Sequence, residues 1–231
     1  YIYETYEGTS EGAQEVIEKI KAGKLDLASY DRLSEFLDMF DILKKYNVSK
    51  GDPLGADYDE MAIDLADGKT AFWFNGNWAW PNISEAGAEE EDAYGFLPYF
   101  LNNDEDDFVN QQIQASPSKQ VMLDGQIATE KEQKAAKEFL NWIVFSEIGQ
   151  QMLVKTCNII PPFQNNPYEP SDPLSADIYQ KVHEGKAFNA SAIVPNDHWA
   201  VLGAAMQKYL VDRSDREELT ESIQEYWDEQ E

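Results

Sequence analysis

Between Asn158 and Asp172 the chain reads NIIPPFQNNPYEPSD, four prolines among polar residues. Fixed φ angles and missing N–H groups at this density leave no room for a helix or a strand. The segment reads as a crossover between structural units, so the apolar stripes on either side of it need a common partner. The strongest stripe precedes it. Over Asp31 to Tyr46, Leu33, Phe36, Leu37, Phe40 and Leu43 recur at helical spacing. Further helices are expected at Glu11 to Ala22, ended by Gly23, and at Tyr58 to Leu65, stopped near Gly68. Thr129 and Glu132 form a capping box before a helix reaching Phe145, and Ser146 caps another reaching Lys155. Beyond the prolines come Pro173 to Glu184, Asp197 to Val211 and Asp215 to Trp227, the last behind a capping box at Ser214 and Glu217. Strand character is confined to Thr70 to Phe74, Tyr94 to Leu97 and Gln120 to Ala128, the third interrupted at Gly125. Many helices around a few widely separated strands make an α/β class.

One stretch carries most of the functional information. Lys69 to Asn82 reads KTAFWFNGNWAWPN. A short apolar strand runs into Asn75-Gly76, a pair that tolerates positive φ and suits a turn. Trp78 and Trp80 follow, and Pro81 stops the run. Two indoles at a strand end can line a cleft with flat faces, each offering stacking area and an N–H donor. Sugars, with apolar patches and polar rims, are ligands of that kind. The competing reading places both indoles in the core.

AFWFNGNWAWPNI followed by YGFLPYF resembles the extracellular solute-binding proteins of carbohydrate ABC transporters, the family of maltose-binding protein. KAAKEFLNWIVFSEIGQQMLVKTCNIIPPF is similar to that family's helix pair and proline-marked loop, with Ile143 where a leucine is usual. PNDHWAVLGAAMQKYL is similar to its late Pro-x-x-x-Trp segment, which opens a helix. The three stretches keep the family's order between Ala71 and Leu210.

The resemblance implies the C-terminal lobe of a two-lobe, helix-rich, periplasmic-binding-protein-like fold of type II. Residues 1–114 and 172–231 would form that lobe, and 115–171 would belong to the N-terminal lobe and the crossover. It also implies a non-catalytic receptor, extracellular or periplasmic, that delivers a carbohydrate to the membrane subunits of an ABC importer. The opening at Tyr1, without methionine or a signal-like apolar core, reads as a piece of a longer protein anchored through an N-terminal lipoprotein region. Phe139, Trp142, Ile143 and Leu153 would then need to be covered by a rearranged packing, by a second copy of the chain or by the missing part supplied separately. The implied ligand contacts are Trp78, Trp199, Trp80, Asn77, His198 and Asp197. Trp199 stands where the family places a sugar-stacking aromatic.

Charge narrows the partners. A formal net charge of −26 over 231 residues opposes nucleic acid, which demands clustered Lys and Arg, and opposes anionic lipid. The acidic runs Glu89 to Asp92 and Asp104 to Asp107 lack the spacing and glycine of a calcium loop and read as solvated loops. Cys157, the single cysteine, excludes an internal disulfide and reads as a buried thiol. No nucleotide, zinc-protease or hydrolase motif is present, so no cofactor or metal is expected. Asp197 reads as a helix N-cap, and His198 with Trp199 as candidates for the cleft. The alternative function is a glycoside hydrolase using two carboxylates, one with a raised pKa. No particular pair among the 44 acidic residues stands out for that role.

Overall fold

The computed structural model describes residues 1–88, 92–117 and 121–230. Ten helices are present among them. The first, α1 (Ser10–Lys21), starts where the Thr9 hydroxyl accepts from the Gly12 N–H at 3.0 Å. Its Ala13, Val16, Ile17 and Ile20 fall on one face and are buried. It ends before Gly23, which sits at φ +61°, the left-handed conformation in which a glycine costs least. The stripe of α2 (Asp31–Tyr46) buries Leu33 and Leu37, with Phe36 and Phe40 packed beside them, while Leu43 runs past the edge of the core and is exposed.

Two late helices complete this core. Leu202, Ala205, Met206 and Tyr209 come from α9 (His198–Leu210), and Leu219, Ile223, Tyr226 and Trp227 from α10 (Arg216–Asp228). Leu33, Phe36 and Phe40 therefore share one core with Leu202 and Met206, across the proline segment. The cap of α10 lies one residue later than the sequence suggests. Asp215 accepts from the Glu218 N–H at 2.9 Å and Glu218 returns the bond at 3.0 Å, leaving the Ser214 hydroxyl buried and unpartnered. A carboxylate is the stronger acceptor for the first-turn N–H groups, so the Asp frame wins over the Ser frame.

A second, smaller cluster joins Ala62 of α3 (Tyr58–Ala66), Ala79, Trp80 and Ile83 of α4 (Trp80–Glu85), Ala88, and Leu174 of α8 (Pro173–His183). Tyr1 packs beside the main core, its ring centroid 6.0 Å from Phe36 and 5.6 Å from the exposed Phe74. Helix α5 (Phe108–Gln111) is capped by Asp107, which also receives a two-pronged ion pair from Arg32 of α2 at 2.5 and 2.9 Å. Asn102 donates to the same carboxylate at 2.8 Å. Burial raises the Asp107 pKa, but the bonds from Arg32 and Asn102 outweigh it and hold the carboxyl below its ordinary range. In the loop of Asp104 to Asp107, the Asn110 amide donates to the carbonyls of Asn102 and Asp104 and to the Asn102 side chain. Glu89 to Glu91 lie outside the described residues.

The strands differ most from expectation. The ladder among the described residues is one parallel pair, β1 (Ile113–Gln114) with β2 (Ala187–Phe188), continued by a single bridge between Thr9 and Asn189. Residues 72–76 carry no regular structure, with Phe72 and Phe74 exposed and Trp73 half-buried against the second cluster, and among the described residues no strand lies beside them. Without a neighbour to take its N–H and C=O groups, an extended segment is not a strand. At Tyr94 to Leu97 the Phe96 N–H goes to the Asp177 carboxylate at 2.7 Å instead. Gln120 of the third expected strand lies outside the described residues. The rest of that segment turns, because Asp124 accepts from the N–H groups of Gln126 and Ile127.

The expected helix pair is present as α6 (Glu130–Phe145), opened by the Thr129–Glu132 capping box, and α7 (Glu147–Gln151). A π-helical turn, Met152–Thr156, continues α7. Cys157 follows it and is exposed, not buried, because Val154 takes the inward position of that turn. Helix α6 buries none of its residues, and Phe139 and Phe145 stand in the open. The proline segment is tied to this pair through polar bonds. Gln150 donates to the carbonyls of Val144 and Asn165, and Asn166 to that of Gln150. No helix among the described residues is long and apolar enough to cross a membrane.

Two outcomes are expected. Replacing Asp107 by Asn strips the charge from the Arg32 clamp and costs about 2–3 kcal/mol at neutral pH, on the scale of charged hydrogen bonds. Because the folded pKa of Asp107 is depressed, this contribution is present above the unfolded carboxylate range and disappears as pH falls through the folded value. Denaturant unfolding of both proteins across the acid range checks it. Phe139→Ser in α6 changes stability by less than about 0.5 kcal/mol, as for an uncovered surface position. A loss of several times that amount shows that another surface covers the helix.

Candidate functional site

The Trp78 turn is built differently from its sequence signature. Gly76 has φ −117° and ψ 176°, ordinary extended backbone, and no residue of the Asn75-Gly76 pair has positive φ. The Asn75 carboxamide accepts from the Gly76 N–H at 2.8 Å, and the reversal is made by a 3₁₀ turn, Asn77–Ala79, running directly into α4. Pro81 falls in the first turn of that helix, where its missing N–H costs nothing, so it starts a helix and does not stop a strand. Trp80 points inward, 6% exposed, with its ring edge-on to Tyr94 at 5.6 Å. Trp78 points outward, 64% exposed.

The Trp78 indole lies over Gly76. A Cβ at position 76 would come within 2.5 Å of three of its ring atoms. Glycine here serves close approach rather than an unusual φ. Beneath the turn, the Asn77 amide donates to the Ser175 hydroxyl at 3.0 Å, and that hydroxyl donates to the Asn158 carbonyl at 3.3 Å. The Ser175 N–H in turn caps onto Asp172 at 2.8 Å. Asn77 therefore couples the Trp78 turn to the start of α8 and to the beginning of the proline segment.

Trp199 occupies the first turn of α9 and is 67% exposed. Its neighbour His198 is 3% exposed. The imidazole meets Trp199 edge-to-face at 4.7 Å and also faces the rings of Tyr3, Tyr226 and Trp227. Its Nε2 is 3.2 Å from the Tyr3 hydroxyl, which accepts the Trp227 indole N–H at 2.9 Å. Burial lowers the His198 pKa below its ordinary value, although the Glu4 and Asp197 carboxylates pull the other way. Asp197 precedes α9 in helical geometry, φ −90° and ψ −8°, and makes no capping bond. Its carboxylate accepts the Tyr226 hydroxyl at 3.0 Å, and burial together with that bond pushes the Tyr226 pKa up to about 12.

The six residues singled out by sequence thus fall into two groups. Asn77, Trp78 and Trp80 lie on the turn that leads into α4, where Trp80 joins the second cluster; Asp197, His198 and Trp199 lie at the start of α9, whose later residues join the first. No ring contact joins Trp78 to Trp199 among the described residues. Sequence reasoning missed Tyr3, Tyr226 and Trp227, whose role at the site comes from packing between chain ends and has no local signal. It also misread Gly76, for which the adjacent tryptophans were the available clue. No group of three or more His, Cys, Asp or Glu residues that could hold a metal ion occurs among the described residues. The carboxyl groups with displaced pKa values there, Asp41, Asp107, Asp124, Glu132 and Glu184, are all displaced downward.

Comparison with known families gives one match. The model of the bacterial extracellular solute-binding proteins matches residues 5–181 of the 231. That match spans the Trp78 turn, the helix pair and the proline segment, and stops short of Trp199. This is a family of solute receptors that work outside the bacterial cytoplasm with ABC transporters and are generally non-catalytic. No curated protein and no solved structure matches the chain.

Proposed function

Because the chain belongs to the bacterial extracellular solute-binding protein family, we propose that its solute is a sugar or oligosaccharide, stacked on the indoles of Trp78 and Trp199. The observation that carries this reading is the exposure of both rings together with their support. Each lies largely in water, one resting on a glycine backbone and the other on a buried imidazole. An exposed indole held in place presents a preformed stacking face, and preorganisation lowers the entropy cost of binding. Asn77, Asp197 and His198 neighbour the two indoles in sequence, and Trp80 anchors the first turn by packing against Tyr94.

In this reading the polypeptide is one lobe of a type II binding protein, with 115–171 reaching into a second lobe. The core shared by α1, α2, α9 and α10 supports the assignment of 1–114 and 172–231 to a common lobe. The uncovered apolar face of α6 supports its assignment elsewhere: it is a packing face for the other lobe or for a second copy of the chain. Lobe closure would then trap the sugar and mark the loaded state for the importer.

Titration calorimetry against a panel of neutral oligosaccharides tests the proposal. Trp78→Ala and Trp199→Ala are each expected to cost about 1–3 kcal/mol of binding, the scale of an aromatic contact and its buried area. Gly76→Ala, which displaces the Trp78 ring, weakens binding in the same direction. Trp227→Ala acts on stability instead, costing about 3–5 kcal/mol as a buried aromatic truncation. Unchanged affinity in Trp78→Ala and Trp199→Ala overturns the sugar-stacking reading.

A further inference from the structure

Behind the exposed Trp199 indole lies a buried polar chain that the solute does not touch. The Trp227 N–H has no acceptor capacity, so at 2.9 Å it must donate to the Tyr3 oxygen. The Tyr3 hydroxyl hydrogen is then free to donate to His198 Nε2 at 3.2 Å. This order assigns the imidazole hydrogen to Nδ1, an atom that is buried and has no hydrogen-bond partner. A neutral ring in a single tautomer is what remains, and it meets Trp199 nearly perpendicularly, at an interplanar angle of 88°.

We propose that His198 is the positioning residue of Trp199: the Trp227–Tyr3–His198 chain holds the imidazole neutral and fixed, and the imidazole holds the indole in its presenting orientation. The proposal rests on the reading of Trp199 as a solute contact. It adds a residue that acts through the indole, not on the solute. Its physical consequence is a sensitivity to protonation. An imidazolium donates from both nitrogens, so Nε2 can no longer accept from Tyr3, and the Tyr3 hydrogen loses its partner. Protonation also places a full positive charge beside the Trp199 ring, 4.7 Å between centroids, and so changes the interaction that orients the indole.

The charged and titratable groups around the imidazole are the Tyr1 ammonium, Tyr3 and Glu4 from the N-terminal turn, Asp197 ahead of α9 and Tyr226 of α10. Glu4 and Asp197 favour the cation, while burial and then the Tyr1 ammonium oppose it and prevail. The neutral, presenting state therefore holds at neutral pH and is lost as pH falls through a value below the ordinary histidine pKa.

The test labels the protein with 5-fluorotryptophan and follows the Trp199 fluorine resonance, assigned from Trp199→Phe, as pH is lowered. The Trp199 resonance is expected to move with a midpoint below about 6.5, the unperturbed histidine value, while the Trp78 resonance stays still through the same range. In His198→Phe, which keeps a ring but cannot titrate, the movement disappears. In Tyr3→Phe, which leaves His198 in place but removes the donor that favours its neutral form, the midpoint rises. A Trp199 resonance that is flat in the wild type, or that titrates identically in His198→Phe, overturns the proposal. Should His198→Phe fail to fold, the direction of the Tyr3→Phe shift decides, and an unchanged midpoint overturns it. Affinity for the neutral oligosaccharide panel is then measured at pH values on either side of the midpoint. A fall in wild-type affinity that Tyr3→Phe moves to higher pH supports the positioning role. Coupled resonances in a protein that binds none of the panel support the positioning of the ring and overturn the sugar reading alone.

Discussion

The buried indole of Trp227 and its hydrogen bond to Tyr3 join residues 224 positions apart, and much of the molecule is organised around that closure. Tyr3 lies in the short N-terminal turn that packs between α1, α2 and α10, and Trp227 fills the centre of the same core. Burying an indole brings a large apolar area out of water, but its N–H must find an acceptor in the interior or forfeit part of the gain. Tyr3 supplies that acceptor, and its own hydrogen passes the requirement on to His198. One satisfied N–H thus fixes the positions of three aromatic side chains and the first turn of α9. The exposed Trp199 inherits its geometry from this interior chain.

Elsewhere the fold is held more locally and leaves apolar surface uncovered. The second cluster is small, built largely from alanines and short helices. Polar ties hold the elements around it and the main core: Arg32 of α2 reaches Asp107 at the start of α5, and Asn77 reaches Ser175 of α8. The α6 helix forms because its capping box and local propensity suffice to fold it, and Phe139, Trp142 and Phe145 remain exposed because no element among the described residues covers them. The same holds for Phe72 and Phe74 on the extended segment before the Trp78 turn. These surfaces are contiguous with the parts of the chain that the solute-binding family match covers.

The acidic excess is distributed in two ways. Much of it is solvated, as a net charge of −26 requires for a soluble surface. A smaller set is structural, with carboxylates that cap helices or accept from Arg, Asn and backbone N–H groups. Asp107 does both at once, and Asp41 binds Arg216 and the Tyr209 hydroxyl to fasten α2 to α9 and α10. Such groups have depressed pKa values because, although burial is the largest single effect and raises them, the neighbouring donors and cations together outweigh it.

The sequence by itself determined the helices, because their signals are local. The stripe of α2 gave its full range, Thr129 and Glu132 gave the capping box, and the prolines gave a segment without regular structure. It also drew attention to Trp78 and Trp80, since two indoles in one short turn stand out in any chain. What it could not determine depended on partners distant in sequence. Thr70 to Phe74 has strand composition but no neighbouring strand, and Phe96 gave its N–H to a side chain of α8. Which tryptophan faces water was decided by packing: Trp78 and Trp80 are two residues apart with similar surroundings in sequence, yet the 3₁₀ turn sends one outward and the other into the core. His198 looked like a surface neighbour of Trp199 and became its buried support, because Tyr3 arrives from 195 residues away to accept one hydrogen bond and donate another. Local order is written in short-range patterns, but burial and hydrogen-bond satisfaction are settled where distant segments meet, and only the tertiary structure brings them there.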